Sequence, residues 1–426
     1  MTDPRPFAGI TVIEFGQFIA VPYCAQLLAD GGARVIKIEP HGGDPVRALA
    51  PLVPGESRHF ISRNRGKRCL QLDLRHPRAA SIIRALFQQA DVALFNLRPG
   101  LGAELGLDYG ALSPLYPRLI TGNVTAFGKD GPDANLAGMD LVVQARSGLM
   151  TAMGRLIDGL PAAGDTPVID FMCAMTLAFG ISTALYRREL TGHGSEVDVS
   201  LLGAGIALQT TMLTRVDAVD RPVHEAAAGQ LNAVRADGRG FVEQMAISPS
   251  ARASHMTGIY YRTLATRDSA IAIACSSPAN QGRFMAAIGM TDEALDRKMP
   301  RAEQPAHYAA LQPAVEARLR ERTTAEWKAA FDAAGLPASP VLLTFELFED
   351  DQPLLNGMLR DLRHPALGDV RLPAPPLSIG PGSFEPGPFA APFGSEARSI
   401  LAEFGLTEAE IESAIAENAV LSFPAE

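Results

Sequence analysis

Gly9–Glu39 reads GITVIEFGQFIAVPYCAQLLADGGARVIKIE, and the order of its segments decides the fold. Ile10–Phe15 is a β-branched and aromatic run, Pro22–Ala33 is competent for helix until Gly31 and Gly32 break it, and Val35–Glu39 alternates apolar with charged side chains. Two strands joined by a helical crossover of this size lie parallel, with the crossover right-handed. The alternation continues through CLQLDL (Cys69–Leu74), a helix beginning near Pro77, DVALFN (Asp91–Asn96), a short helix, and RLITGNVTAF (Arg118–Phe127). The pattern predicts an α/β fold with an open, parallel, Rossmann-like sheet and helices on both faces. Ligands of such sheets bind beyond the carboxyl ends of the strands, here the turns after Phe15, Glu39, Asn96 and Thr125.

Outward from this core, the longest helix candidate begins at Val168, with Asp170 at its start, Arg187 and Arg188 near its end, and Gly192 as its stop. That charge order suits the helix dipole. A strand at Glu196–Leu202 and another helix complete a large domain spanning residues 1–218. Residues 219–256 turn polar, Gly-rich and aperiodic and read as a linker. A smaller α+β domain follows over 257–336, opening on a strand pair in GIYYRTLATRDSAIAIAC (Gly258–Cys275) with Arg267 and Asp268 at the turn. Residues 337–426 read as a return strap, Pro- and Gly-dense between Arg371 and Gly394, and C-terminal helices that complete the large domain. Thr407 and Glu410 form a capping-box pattern before the last helix.

Composition excludes several classes of function. The chain has 426 residues with 47 acidic against 38 basic side chains, a net charge of −9, which argues against a nucleic-acid partner. Four cysteines (Cys24, Cys69, Cys173, Cys275) lie far apart among apolar residues without metal or CxxC spacing, as expected of buried thiols in a reducing cytosol. The eight histidines have no HxH or HxxxH spacing, so no metal site is expected. MTDPRPFAGITVIEF lacks the parts of a secretory signal, and the most apolar run, Phe171–Tyr186, is 16 residues against the roughly 20 of a membrane span. A cytoplasmic protein with no membrane partner is the expectation.

Local motifs give little chemistry. Gly100, Gly102 and Gly106 make a GxGxxxG that Pro99 and the lack of a strong following helix weaken as a nicotinamide site, leaving an NAD(P)-dependent oxidoreductase as a distant alternative. Gly122–Lys129 is one residue too long for a phosphate-binding loop and is followed by Asp130. Ser182 lies mid-helix, away from any strand-to-helix elbow. Asp170 reads as a helix N-cap, and a helix N-terminus favours the ionised carboxylate, which predicts a group charged at pH 7.

Beyond these motifs, long ordered stretches resemble the class III CoA transferases, the family of formyl-CoA and carnitine CoA transferases that also contains the α-methylacyl-CoA racemases. They include GITVIEFGQFIAVPYCAQLLADGGARVIKIEPHGGDPVR, RNRGKRCLQLDLRHP, DVALFNLRPG, GMDLVVQARSGLM, TGHGSEVDVSLL and FEDDQPLLNGMLRDLRHPALG, in family order over roughly two thirds of the chain. The resemblance implies that Asp170 is the catalytic nucleophile, forming an aspartyl anhydride and then an enzyme–CoA thioester. It implies CoA contacts at Ile19, Ala20, His41, Leu72, Asp73, Leu74, Arg75, Asn96, Leu97 and Arg98, with Arg75 and Arg98 the candidates for phosphate. Coenzyme A or acyl-CoA is then a substrate, no cofactor is permanently bound, and a free carboxylic acid is the other reactant. An interlocked homodimer is implied as well.

Departures from the family pattern limit the reading. Formyl-CoA transferases carry an arginine where Glu104 stands and a lysine near Ala137, and a glycine run with no counterpart between Gly229 and Gly258. The racemases' histidine base is replaced in Gly138, Met139, Asp140, although Asp140 is a candidate for orienting the acyl group. A racemase or intramolecular CoA-shifting isomerase remains the alternative within the family. Arg146, Arg235 and Arg262 are candidates for clamping a second substrate carboxylate, each with an ordinary structural role beside it.

Overall fold

Strand β1 (Thr11–Glu14) is buried along its whole length, which places it at the centre of a sheet. Helix α1 (Ala20–Asp30) returns the chain to β2 (Arg34–Glu39), and β1 and β2 pair in parallel from Thr11 with Arg34 to Glu14 with Lys37. Helix α2 (Arg58–Asn64), β3 (Lys67–Gln71), α3 (Ala79–Phe87), β4 (Val92–Phe95) and β5 (Ile120–Thr125) follow. Next come α4 (Asp140–Arg146), α5 (Val168–Thr191), β6 (Glu196–Ser200) and α6 (Leu201–Ala207). The six strands are all parallel in the order β6-β5-β4-β1-β2-β3, so the winding reverses between β1 and β4.

This computed structural model describes residues 5–247, 258–297, 299–300, 302–380 and 382–423. The chain divides into two compact units, one of Met1–Thr214, Gly240–Val242 and Gln352–Glu426, the other of Arg215–Arg239 and Glu243–Asp351. In the first unit, alternation along the strands feeds two cores. Val12, Val35, Leu94 and Ile120 face α1 and α5, while Ile13, Ile36, Leu70 and Phe95 face α3 and the C-terminal helices α11 (Ala397–Glu403) and α12 (Glu408–Ala416). Helix α5 crosses β6 closely, since a Cβ on Gly180 would lie 2.5 Å from Val197. Its apolar length alone would suit a membrane span, but Ile169, Cys173, Leu177 and Ile181 are packed into the core. Gly192, at φ +78°, ends it in the left-handed conformation.

Toward the carboxyl ends of the strands the α1-side face turns from apolar to charged without becoming exposed. Lys37, with no exposed side-chain surface, meets Glu14 at 3.0 Å, Asp44 at 2.9 Å and the Gly16 carbonyl at 2.6 Å. Lys67 meets the other Glu14 oxygen at 2.8 Å and the Pro22 carbonyl at 2.8 Å. Arg47 forks onto Glu39 at 2.9 and 3.0 Å, and Gln71 adds a bond to Glu39 at 2.8 Å. Burial opposes charge on Lys37, but Glu14 and Asp44 outweigh it and hold the ammonium above its ordinary pKa. For Lys67 burial wins, and its pKa falls to about 8.

The second unit has its own core around Trp327 and Phe284. Strands β7 (Tyr261–Ala265) and β8 (Ala270–Ala274) form the hairpin read from sequence, and β9 (Ala338–Pro340) adds to β8 antiparallel. Helices α8 (Pro278–Ala287), α9 (Gln304–Leu319) and α10 (Thr324–Ala333) supply Phe284, Val315 and Trp327 to that core, and the Trp327 indole N–H donates to the Leu319 carbonyl at 2.7 Å.

Three boundaries differ from the sequence reading. Within the linker 219–256, helix α7 (Asp217–Ala236) occupies most of the described part, and residues 248–256 lie outside the described residues. Asp217 and Asp220 suit its first turn, and alanines and long side chains outweigh the single Gly229 inside it. The break at 336 falls just before β9, a strand too short and Pro-flanked for its alternation to be legible. Within the tail, β10 (Leu359–His364) and β11 (Gly368–Pro373) form a hairpin, so Arg371–Pro373 belong to a strand instead of the strap.

Removing one partner from a buried ion cluster strands the others without solvent. Lys37→Met is expected to lower unfolding free energy by about 3–5 kcal/mol in urea titration. Arg398→Met, which breaks exposed bridges to Glu408 and Glu412, is expected to leave the urea midpoint nearly unchanged.

Candidate active site

The turn from β1 into α1 is held in a conformation that side chains resist. Phe18 has φ +66°, and its N–H donates to Asp44 Oδ1 at 3.3 Å. Asn96, just beyond β4, clamps the preceding residue from both sides: it accepts from the Gln17 N–H at 3.1 Å and donates to the Gln17 carbonyl at 2.8 Å. Asp44 in turn is fixed by Lys37. The buried charge network therefore reaches the surface through this turn.

Beside it lies a cleft of about 100 Å³ lined by Gln17, Ile19, Ala20, Asn96, Leu97, Arg98, Thr125, Met139 and Asp170, among others. It sits where the turns after β1, β4 and β5 converge, at the reversal of strand order. Of the site residues read from sequence, Ile19, Ala20, Asn96, Leu97, Arg98 and Asp170 come together here. The other candidates gather elsewhere, under the C-terminal segment. His41 Nε2 is 3.2 Å from the Ala419 carbonyl, which also accepts from the Asp73 N–H at 3.0 Å, and buried Leu72 bridges to Val420. Leu74 is half-buried and Arg75 exposed beside them.

Asp170 is not the cap of its helix. The N-cap position of α5 is Pro167, which offers no side-chain oxygen, and Asp170 is the third helical residue. The cap comes from α4: Asp140 Oδ2 accepts the N–H groups of Ile169 at 2.9 Å and Asp170 at 3.0 Å, while Oδ1 accepts from the Gln144 amide. Both Asp140 oxygens are thus engaged by protein donors, which gives Asp140, the candidate for orienting the acyl group, a capping role at Asp170.

This arrangement overturns the expectation of a fully ionised Asp170. Burial, then the neighbouring Asp140 charge, push its pKa up to about 7, with Arg63 opposing. A helix N-terminus contributes only about 0.3–1 kcal/mol toward the anion, too little to offset desolvation beside a like charge. Arg63, on α2, was not singled out in the sequence; it stands in the RNRGKR run, and only the packing of α2 reveals its field at Asp170. Its guanidinium lies 6.0 Å from the ring of Phe171, the residue after Asp170, and Tyr23 meets that ring edge-on at 5.0 Å.

The arginines expected to bind a substrate carboxylate have partners already. Arg146 meets Asp133 at 3.4 Å, Arg262 meets Glu316 at 3.3 Å, and Arg235 donates to Gln244 at 3.3 Å. Among the described residues no group of three or more His, Cys, Asp or Glu side chains is placed to hold a metal ion.

Comparison with known proteins adds the following. A family model described as CoA-transferase family III matches residues 7–392. The acetyl-CoA:oxalate CoA-transferase of Acetobacter aceti is 30% identical over 416 residues, covering 95% of this chain and 97% of that protein. The succinyl-CoA:glutarate CoA-transferase of Mus musculus is 28% identical over 87% of this chain and 80% of its own length. The crystal structure of a CAIB/BAIF family protein from Brucella suis superposes with a TM-score of 0.73 at 26% identity, covering 94% of this chain and all 100% of that one.

The raised pKa of Asp170 has a measurable sign. The folded state holds this proton more tightly than the unfolded chain, so the group favours folding in full below its ordinary value of 3.8. That contribution is lost as the pH rises through about 7. Asp170→Asn is therefore expected to match the parent near pH 4 and to exceed its stability at pH 8, by on the order of 1–3 kcal/mol in chemical denaturation.

Proposed function

The chain belongs to CoA-transferase family III, and we propose that it moves CoA from an acyl-CoA thioester to a free carboxylic acid through covalent intermediates on Asp170. The observation that carries this reading is Asp170 on the wall of the cleft at the strand-order reversal, oriented through its own N–H by Asp140. Ionised Asp170 attacks the thioester carbonyl; the C–S bond breaks, CoA leaves as thiolate, and an aspartyl anhydride remains. The thiolate then attacks the Asp170 carbonyl, releasing the donor acid and leaving an enzyme–CoA thioester. The acceptor carboxylate attacks that thioester to form a second anhydride, and thiolate attack on its acyl carbon regenerates Asp170. One thioester replaces another, so neither ATP nor a redox cofactor enters the balance.

CoA is proposed to lie over Ile19, Ala20 and Asn96–Arg98, extending toward His41 and Leu72–Arg75. Arg98 and Arg75, both exposed, are the cations for its phosphates, with Glu104 and Ala137 offering none. Met139 brings an apolar side chain to the cleft, which favours transfer over abstraction of an α-proton. The chain is further proposed to work as a homodimer, interlocked as the resemblance implies. Supporting association is a stripe on α5 of Met175, Phe179, Tyr186 and Leu190, exposed by 41, 74, 68 and 70%. Four free buried cysteines suit the cytoplasm, where we place the protein.

Incubation with an acyl-CoA donor is expected to add the mass of CoA, less one water, to the intact protein, and Asp170→Ala is expected to gain nothing. Its exchange rate should fall by roughly 10³-fold or more, and acceptor-dependent exchange persisting in that variant would overturn the assignment. Because Asp170 acts as the anion, kcat/KM is expected to rise with pH through about 7. Asp140→Asn keeps an acceptor for the helix N–H groups and removes the like charge, so the rise should move to lower pH in the rate profile.

A further inference from the structure

Arg63 is a cation whose hydrogen-bonding capacity is unspent. It closes α2, half-buried, with its Nε shielded from solvent and without a partner. Its one hydrogen bond runs from Nη1 to the carbonyl of His59 in the same helix, at a long 3.5 Å. The buried cations of this unit are treated differently: Lys37, Arg47, Arg65, Lys67 and Arg188 each meet a carboxylate oxygen at 3.0 Å or less. Arg63 meets none within 4.0 Å among the described residues.

We infer that Arg63 is a specificity-determining residue that receives a second carboxylate carried by the substrate acid, so that the site favours dicarboxylic over monocarboxylic acids. This rests on the transfer reading of Asp170 given above. Three observations converge on it. The guanidinium stands 6.0 Å from the ring of Phe171, next in sequence to Asp170, which places it beside the first turn of α5. Asp170 is a charge that tempers the burial of Arg63, the other being Asp44. Asp44 is already committed to Lys37.

The chemistry then exposes a vacancy in the electrostatics. When the Asp170 oxygen bonds to the acyl carbon and thiolate departs, Asp170 becomes a neutral anhydride carbonyl. Arg63 loses that counter-charge at the step when the acyl group arrives. A half-buried guanidinium without an anion bears part of the desolvation cost uncompensated, and its planar fork matches a carboxylate bidentately. An acid with a second carboxylate restores the pair, whereas a monocarboxylic acid leaves the cation alone. Binding energy spent at this remote group appears in kcat/KM for the dicarboxylic acid.

The test compares acceptors matched in length, glutarate against pentanoate and succinate against butyrate, with one acyl-CoA donor. Assays at pH 8.5 keep Asp170 predominantly ionised, so the loss of a neighbouring charge does not masquerade as specificity. The parent is expected to favour the dicarboxylate by at least about 30-fold in kcat/KM, on the scale of a charge-assisted hydrogen bond. Arg63→Met and Arg63→Gln should bring the ratio to within a few-fold of one, and Arg63→Lys should restore part of it. A parent ratio near one, or a ratio unchanged in the variants, overturns the inference. The parent ratio alone decides should the variants not fold. Failure of the transfer reading looks different: the parent then passes CoA to neither acid and acquires no covalent CoA.

Discussion

The ammonium of Lys37 is the interaction on which the first unit depends. It lies inside a parallel sheet, a place normally filled by aliphatic side chains, and joins β1 through Glu14 to the loop after β2 through Asp44. Sheet register and loop position are thereby set by one group. Asp44 in turn accepts the N–H of Phe18, whose left-handed backbone no sequence preference would maintain. A hydrophobic core tolerates small slips; three cations and three carboxylates without water do not, because each unpaired member carries a desolvation cost of several kcal/mol. The turn after β1 is consequently tied through Asp44 to the centre of the sheet.

Asp170 is positioned by a second device of the same kind. Pro167 cannot cap α5, and the orphan N–H groups at its start would be unsatisfied without the carboxylate lent by α4. Capping and tuning are inseparable, since the charge that satisfies these donors is the charge that raises the proton affinity of Asp170. Orientation is gained and some ionisation at neutral pH is given up. The charge of Arg63 acts against that of Asp140, so the two neighbours set how much of Asp170 is ionised at neutral pH.

Much of the first unit was legible in sequence because parallel βαβ units write their period plainly: Ile10–Phe15 and Asp91–Asn96 contain strands of the sheet, Val35–Glu39 misses only Arg34, and Cys69–Leu74 overlaps the end of β3. The sheet rule also located the convergence of the turns after Phe15, Asn96 and Thr125. What stayed hidden was tertiary. In VIKIE the alternation of apolar and charged side chains does not show that Lys37 and Glu39 are buried, tolerated because Glu14, Asp44 and Arg47 arrive from elsewhere. The cap of α5 lies 29 residues upstream of Ile169, beyond any local pattern. Helix α7 was obscured by Pro222 and Gly229 inside it and the glycines after it, and Arg63 by its setting in a run of basic residues.

Helix α5 carries a further consequence of its composition. Apolar residues surround most of its circumference, and the face holding Ile169, Cys173, Leu177 and Ile181 is consumed by the core with α1 and the sheet. Met175, Phe179, Tyr186 and Leu190 recur at intervals of four, seven and four residues on another face and stay exposed. Lipid is a poor occupant for that face, because Arg188 near the end of the same helix is tied at 2.9 Å to Asp91 at the start of β4. A protein surface is the better one, and a second copy of the chain supplies it in the association proposed above. The helix that presents Asp170 would then be braced on two sides, by the core and by the neighbour, leaving its first turn and the cleft as the parts free to meet substrate.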